Sequence, residues 1–117
     1  HRKWRDHFRG TGAHNTVRVD GADQSQIGGN FLWTRHARAT CEEWLTGPDA
    51  DRWVGIHDGY ARGTSPVRHR RHLELDKRSR RLQVKDELQG AGEHFVEVHW
   101  QLAPEVQARL LDDGSVV

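Results

Sequence analysis

Apolar and polar residues alternate with a period of two along most of the chain, the signature of strands with one face turned to a core. Val17 and Val19 share a side in Thr16–Asp20, and Gly21 and Asp23 supply the turn that follows. Phe31 and Trp33 alternate next, Ala37, Ala39 and Cys41 keep one parity, and Thr46-Gly47-Pro48-Asp49 breaks the pattern. Trp53 leads into Val54 and Ile56, which alternate up to a turn at Asp58-Gly59. Val67, Leu73 and Leu75 share a parity, as do Leu82 and Val84 in the segment Arg81–Asp86, before the turn Gln89–Gly92. From Glu93 to Leu102, Val96, Val98, Trp100 and Leu102 face one way, with Pro104 as the stop; Val106, Ala108 and Leu110 alternate once more ahead of Asp112-Asp113-Gly114. No segment keeps a 3.6-residue period for more than about ten residues. The pattern predicts seven or eight short strands with turns between them, an all-β antiparallel β-sandwich forming a single domain over 1–117. Residues 1–15, charged and aromatic up to a glycine-bounded stretch, read as a lead-in loop, and 16–117 as the strands.

Composition narrows this picture. A chain of 117 residues suits one domain. Its hydrophobic content of 34% is lean, yet a net charge of only +1 and five Trp argue against a solvated, disordered segment. No apolar run approaches the ~20 residues of a membrane-spanning helix, and no signal-peptide core is present. The chain starts at His1 and contains no Met, as expected of a piece excised or processed from a longer protein. The single Cys41 excludes an internal disulfide framework.

Charge is balanced in number but not in kind, because 15 of the 18 basic residues are Arg. A GC-rich coding bias explains this; so does recognition of planar anions, which guanidinium grips through a bidentate fork. A pI near 8.2 is too mild to demand nucleic acid.

Nine His invite a metal reading, but there is no H-E-x-x-H, no paired C-x-x-C and no close H-x-H. His14, in A-H-N-T beside Asn15, stands at a strand entrance as a structural residue or a ligand. His57-Asp58-Gly59-Tyr60 sets a His, a carboxylate and the only Tyr at one turn, fit for proton transfer or for a packed polar turn. The densest basic run is Arg68-His69-Arg70-Arg71-His72. On a strand it splits, with Arg68, Arg70 and His72 on one face and His69 and Arg71 on the other. That leaves a solvated face or a grip on an acidic polymer. Bases are poor candidates because no aromatic residues interleave with these arginines. A serine nucleophile has no elbow motif, and Gly28-Gly29 lacks a helix to make a phosphate cradle.

Four segments carry a resemblance to a known family: W-R-D-H-F-R-G-T-G-A-H-N-T-V-R-V-D-G-A-D-Q-S from Trp4 to Ser25, G-G-N-F-L-W from Gly28 to Trp33, H-D-G-Y from His57 to Tyr60, and P-V-R-H-R-R from Pro66 to Arg71. From Trp4 to about Leu102 the chain resembles the C-terminal region of the heparinase II/III-like polysaccharide lyases. The resemblance implies a β-sandwich that follows an N-terminal α/α toroid in a bacterial, periplasmic or secreted parent. It also implies cleavage of uronic-acid-containing polysaccharide, such as a glycosaminoglycan or acidic exopolysaccharide, by β-elimination. In that reaction a uronate carboxylate is neutralised, a base removes the adjacent proton, and an acid protonates the leaving oxygen. His14 matches the position that completes a zinc site with a His and an Asp from upstream of His1, so this chain alone is expected to hold zinc weakly if at all. Arg68, Arg70, Arg71 and Asn15 are the candidates for substrate contact, and His57 and Tyr60 the catalytic candidates within this piece, which alone is expected to be inactive. His7 departs from the family pattern, in which Tyr commonly precedes the Phe. The alternative is a non-catalytic module that binds acidic polysaccharide; neither reading involves nucleic acid or a membrane span.

Overall fold

The structure is a computed structural model that describes residues 1–116. It is all-β and antiparallel, in the manner of a sandwich, apart from one short helix. Where the sequence reads a lead-in loop, α1 (Arg2–Arg9) forms instead, followed by a single 3-10 turn at Thr11–Ala13. The reason lies in pairs four residues apart, which meet on one helix face. Arg2 reaches Asp6 at 3.5 Å, and the rings of Trp4 and Phe8 stack with centroids 6.1 Å apart. Gly10 ends the helix, its N–H bonding back to the carbonyls of Asp6 and His7.

Eight strands follow: β1 (Val17–Val19), β2 (Gln26–Ile27), β3 (Trp33–Arg35), β4 (Ala39–Thr46), β5 (Ala50–His57), β6 (Val67–Asp76), β7 (Arg81–Gly90) and β8 (Val96–Val98). Strands β4 to β7 form a meander in chain order, and β2 pairs with β3. β1 pairs with β8, joining the two ends of the fold. The expected strand Glu93–Leu102 shortens to β8 because its partner β1 offers only three residues. Val106–Leu110 forms no strand; Val106 N–H closes a turn on Ala103, and Leu110 makes an isolated bridge to Val116.

Register fixes what each face of the meander carries. Gly55, Arg71 and Asp86 lie directly across from one another on β5, β6 and β7, and His57, His69 and Leu88 form the next row. Further along the same face come the rows Trp44, Trp53, Leu73, Val84 and Thr46, Asp51, Leu75, Leu82. The opposite face carries Thr40, Ile56, Arg70 and Glu87 in one row, with Arg68 two residues before Arg70. β4 contains a bulge between Cys41 and Glu43, which leaves Glu42 out of the ladder. Glu42 uses that freedom to pair with Arg70 at 2.9 Å.

The core is small and lies at one end of the inner face. Val17 and Val19 of β1 pack with Tyr60 and Val67, and Leu88 leans against them. Beyond that end the inner face stays open: Trp44 and Leu82 are 68% and 55% exposed. The accessible surface is 9221 Å², against about 6,500 Å² for a folded monomer of this mass. The radius of gyration is 16.3 Å, where about 13 Å is usual for this length. Among the described residues no helix is long and apolar enough to cross a membrane.

Candidate functional site

A continuous line of polar side chains runs across the inner face next to the core. It starts at a backbone donor: Gly59 N–H donates to His57 Nδ1 at 3.0 Å. A Cβ on Gly59 would lie 2.9 Å from that nitrogen and 3.0 Å from Gln24 Cα, so the turn needs glycine to bring the two groups together. Because Nδ1 accepts, the neutral ring of His57 carries its proton on Nε2, which donates to His69 Nδ1 at 2.8 Å. His69 then donates from Nε2 to Asp86 Oδ1 at 2.7 Å. Arg71 closes the line with a bidentate fork, Nε to Oδ1 at 2.7 Å and Nη2 to Oδ2 at 2.8 Å. Its remaining Nη1 donates to the carbonyl of Asn15. The links from His57 to His69, His69 to Asp86 and Arg71 to Asp86 join cross-strand neighbours or diagonals on one sheet face, which is why these side chains meet.

The charge states follow from these surroundings. Burial pushes the His57 imidazole down to about 4, helped by repulsion from His69 and Arg71 and opposed by the Asp58 carboxylate. Burial opposes ionisation of Asp86, but the bonds from Arg71 and His69 outweigh it and hold the carboxyl below its ordinary range. His69 is only 3% exposed and has both ring nitrogens engaged, so it is a satisfied buried histidine. Tyr60 is buried with its hydroxyl donating to the Val17 carbonyl at 2.8 Å, and burial raises its pKa. Its ring meets that of His57 edge to face, with centroids 5.5 Å apart.

The structure thus brings together four of the residues singled out in the sequence, His57, Tyr60, Arg71 and Asn15. It keeps the others apart from that line. Arg70 is tied to Glu42 on the opposite face. Arg68, also on that face, has no hydrogen bond or ion pair among the described residues, and it lines a cleft with Arg38, Thr40 and His57. His14 is exposed, its ring without a hydrogen bond among the described residues. One exposed imidazole is not a zinc site, and the described residues contain no cluster of three His, Cys, Asp or Glu able to hold a metal. Asn15 Oδ1 accepts the Gln101 N–H, and the Asn15 carbonyl is held by Arg71, so this segment is fixed from two sides.

Sequence reasoning missed Asp86, His69 as a linking group, and Arg38. The parity of His69 with Arg71, and of Asp86 with Leu82 and Val84, was the available signal for the first two. The register that sets Asp86 opposite Arg71 was not available.

An antiparallel all-β domain with an ion-paired polar line beside a small core, and part of its inner face open, is the class that fold and site define. The chain matches the model of the heparinase II/III-like, C-terminal family over residues 1–117, and it belongs to that family. No curated protein matches it. No solved structure matches it either.

Proposed function

We propose that the chain is the β-sandwich part of a polysaccharide lyase that cleaves uronic-acid-containing polymers by β-elimination, and that it does not catalyse the reaction alone. The observation that supports this most is the commitment of its ionisable residues. His57 has both nitrogens occupied, Tyr60 is buried with its hydroxyl bonded, and Asp86 and Arg71 neutralise each other. None of these is free to take a proton from a substrate. Their part is positioning: the polar line braces β5, β6 and β7 and, through Arg71, holds the His14–Asn15 segment. The excess over the surface of a folded monomer of this mass, roughly 2,700 Å², is the size of an obligate interface. We assign that surface to contact with an N-terminal toroid and further strands of the same parent. His14, exposed and unbonded, is available to a zinc site completed by ligands from that part.

The test compares the full-length protein with the 117-residue chain on uronate polymers, following the ultraviolet absorbance of unsaturated uronates. The full-length protein should produce it and the chain should not; robust activity of the chain alone would sink the reading. In the same preparation, His14→Ala should lower bound zinc, and unchanged zinc content removes His14 from the metal site.

A further inference from the structure

A cleft at the end of β5, on the face that carries Thr40, Ile56 and Arg68, holds none of the bonds of the positioning line. It has a volume of about 310 Å³, at the lower edge of what a small-molecule site occupies. Arg38, Thr40, Ile56, Asp58, Ala61 and Arg68 line it together with His57. Arg38 lies just before β4 and Arg68 lies in β6, so the two guanidinium groups come from opposite sides of the central β5 end. Neither side chain has a hydrogen bond or ion pair among the described residues, although nine of the other arginines are tied to carboxylates or carbonyls, Arg70 and Arg71 included. The one carboxylate at the cleft, Asp58, has one oxygen bound by the backbone: its Oδ1 accepts the Arg38 N–H at 2.7 Å. Arg38 and Arg68 set two positive charges against the one negative charge of Asp58, so the lining is net positive. Thr40 adds a hydroxyl without a hydrogen bond among the described residues, and Ile56 and Ala61 add an apolar wall.

Resting on the proposed function for its substrate class, we propose that this cleft is a subsite for one uronate unit of an acidic polysaccharide. Arg38 and Arg68 fork the carboxylate, the Thr40 hydroxyl meets a sugar hydroxyl, and Ile56 with Ala61 lies against the ring. Two unpaired guanidinium groups facing one cavity match a planar carboxylate better than any neutral sugar. The site binds and orients; it carries out no proton transfer, because both nitrogens of His57 are already engaged.

The experiment titrates the full-length protein with tetragalacturonate, using maltotetraose as the neutral counterpart and inorganic sulfate as a bare anion. Tetragalacturonate should bind, maltotetraose should not, and sulfate should compete only at far higher concentration. Arg38→Gln and Arg68→Gln should each weaken tetragalacturonate about tenfold. Arg78→Gln, an exposed residue paired with Asp49 at 2.8 Å, should leave it unchanged. Arg38→Lys and Arg68→Lys keep the charge but lose the fork, and should weaken binding several-fold; they carry the test if a Gln variant fails to fold. Equal affinity in the Gln or Lys variants, equal binding of maltotetraose, or full competition by sulfate at matched concentration would each overturn the subsite. Polymer cleavage by the full-length protein with unchanged affinity in these variants removes the subsite and keeps the lyase reading. Arginine-dependent binding without cleavage of any uronate polymer does the reverse.

Discussion

His57 shows how a single side chain can look catalytic in a sequence and be structural in a fold. In H-D-G-Y it stands beside a carboxylate and a phenol, the ingredients of proton transfer. What decides its chemistry is the glycine between them, whose N–H occupies Nδ1 and so commits Nε2 to His69. Hydrogen-bond direction of this kind depends on backbone geometry that residue spacing does not encode. It has a consequence for acid stability. The folded imidazole titrates at about 4, below its ordinary 6.5, so between these values the unfolded chain binds the extra proton and stability falls as pH falls. The loss across that window should be about 1–2 kcal/mol once solvent screening of this half-buried ring is allowed for. Imidazole carbon shifts followed by NMR should show His57 neutral at pH 5.5. A midpoint near 6.5, with flat stability between pH 6.5 and 4, would mean that the line from Gly59 to Asp86 does not form.

At the scale of elements, the strands were legible and their partners were not. Period-two alternation located β1, β4 to β7 and the centre of β8, because each sets its apolar residues on one side of the sheet, a side that β4 and β8 leave exposed. It overran at Glu93–Leu102, where the pattern continues but the partner strand ends, and at Val106–Leu110, where no strand lies alongside to supply hydrogen bonds. It gave no sign of α1, where the pair Trp4 and Phe8 is too short a stripe to establish a helical period and no residue is buried. The polar line was half legible: His69 and Arg71 share a parity in the sequence, but Asp86 joins them only through the β6–β7 register. Within β5, Gly55 makes room for a neighbour on its own strand. A Cβ at that position would lie 2.1 Å from the Trp53 indole, which folds back over the glycine. Gly55→Ala should therefore evict the indole, costing about 1–3 kcal/mol in urea denaturation and changing the near-ultraviolet circular dichroism. An unchanged spectrum and midpoint would show that Trp53 does not rest there.

The whole molecule exposes more surface than its mass warrants, and the excess is not spread evenly. Trp44 and Leu82 lie at the open end of the inner face, while Val98 and Trp100 line the β8 segment, so the alternation that predicts a buried face falls on strands that the described residues leave uncovered. A sandwich pattern in the sequence describes the layer that is present and implies the one it packs against. The pairing of β1 with β8 bears on the order in which this fold assembles. The meander grows by short hairpins, whereas joining Val17 to Val98 closes a loop of about eighty residues, which costs roughly 2.5 kcal/mol more in chain entropy than closing the β6–β7 turn. Chain entropy then makes the clasp the last part to form. Deleting residues 91–117 should leave amide exchange slow in β5 and β6 and make it fast at Val17–Val19; equal loss in both would mean that the meander depends on the clasp. The two ends of the chain thus act as a fastener, added to a sheet that has already formed.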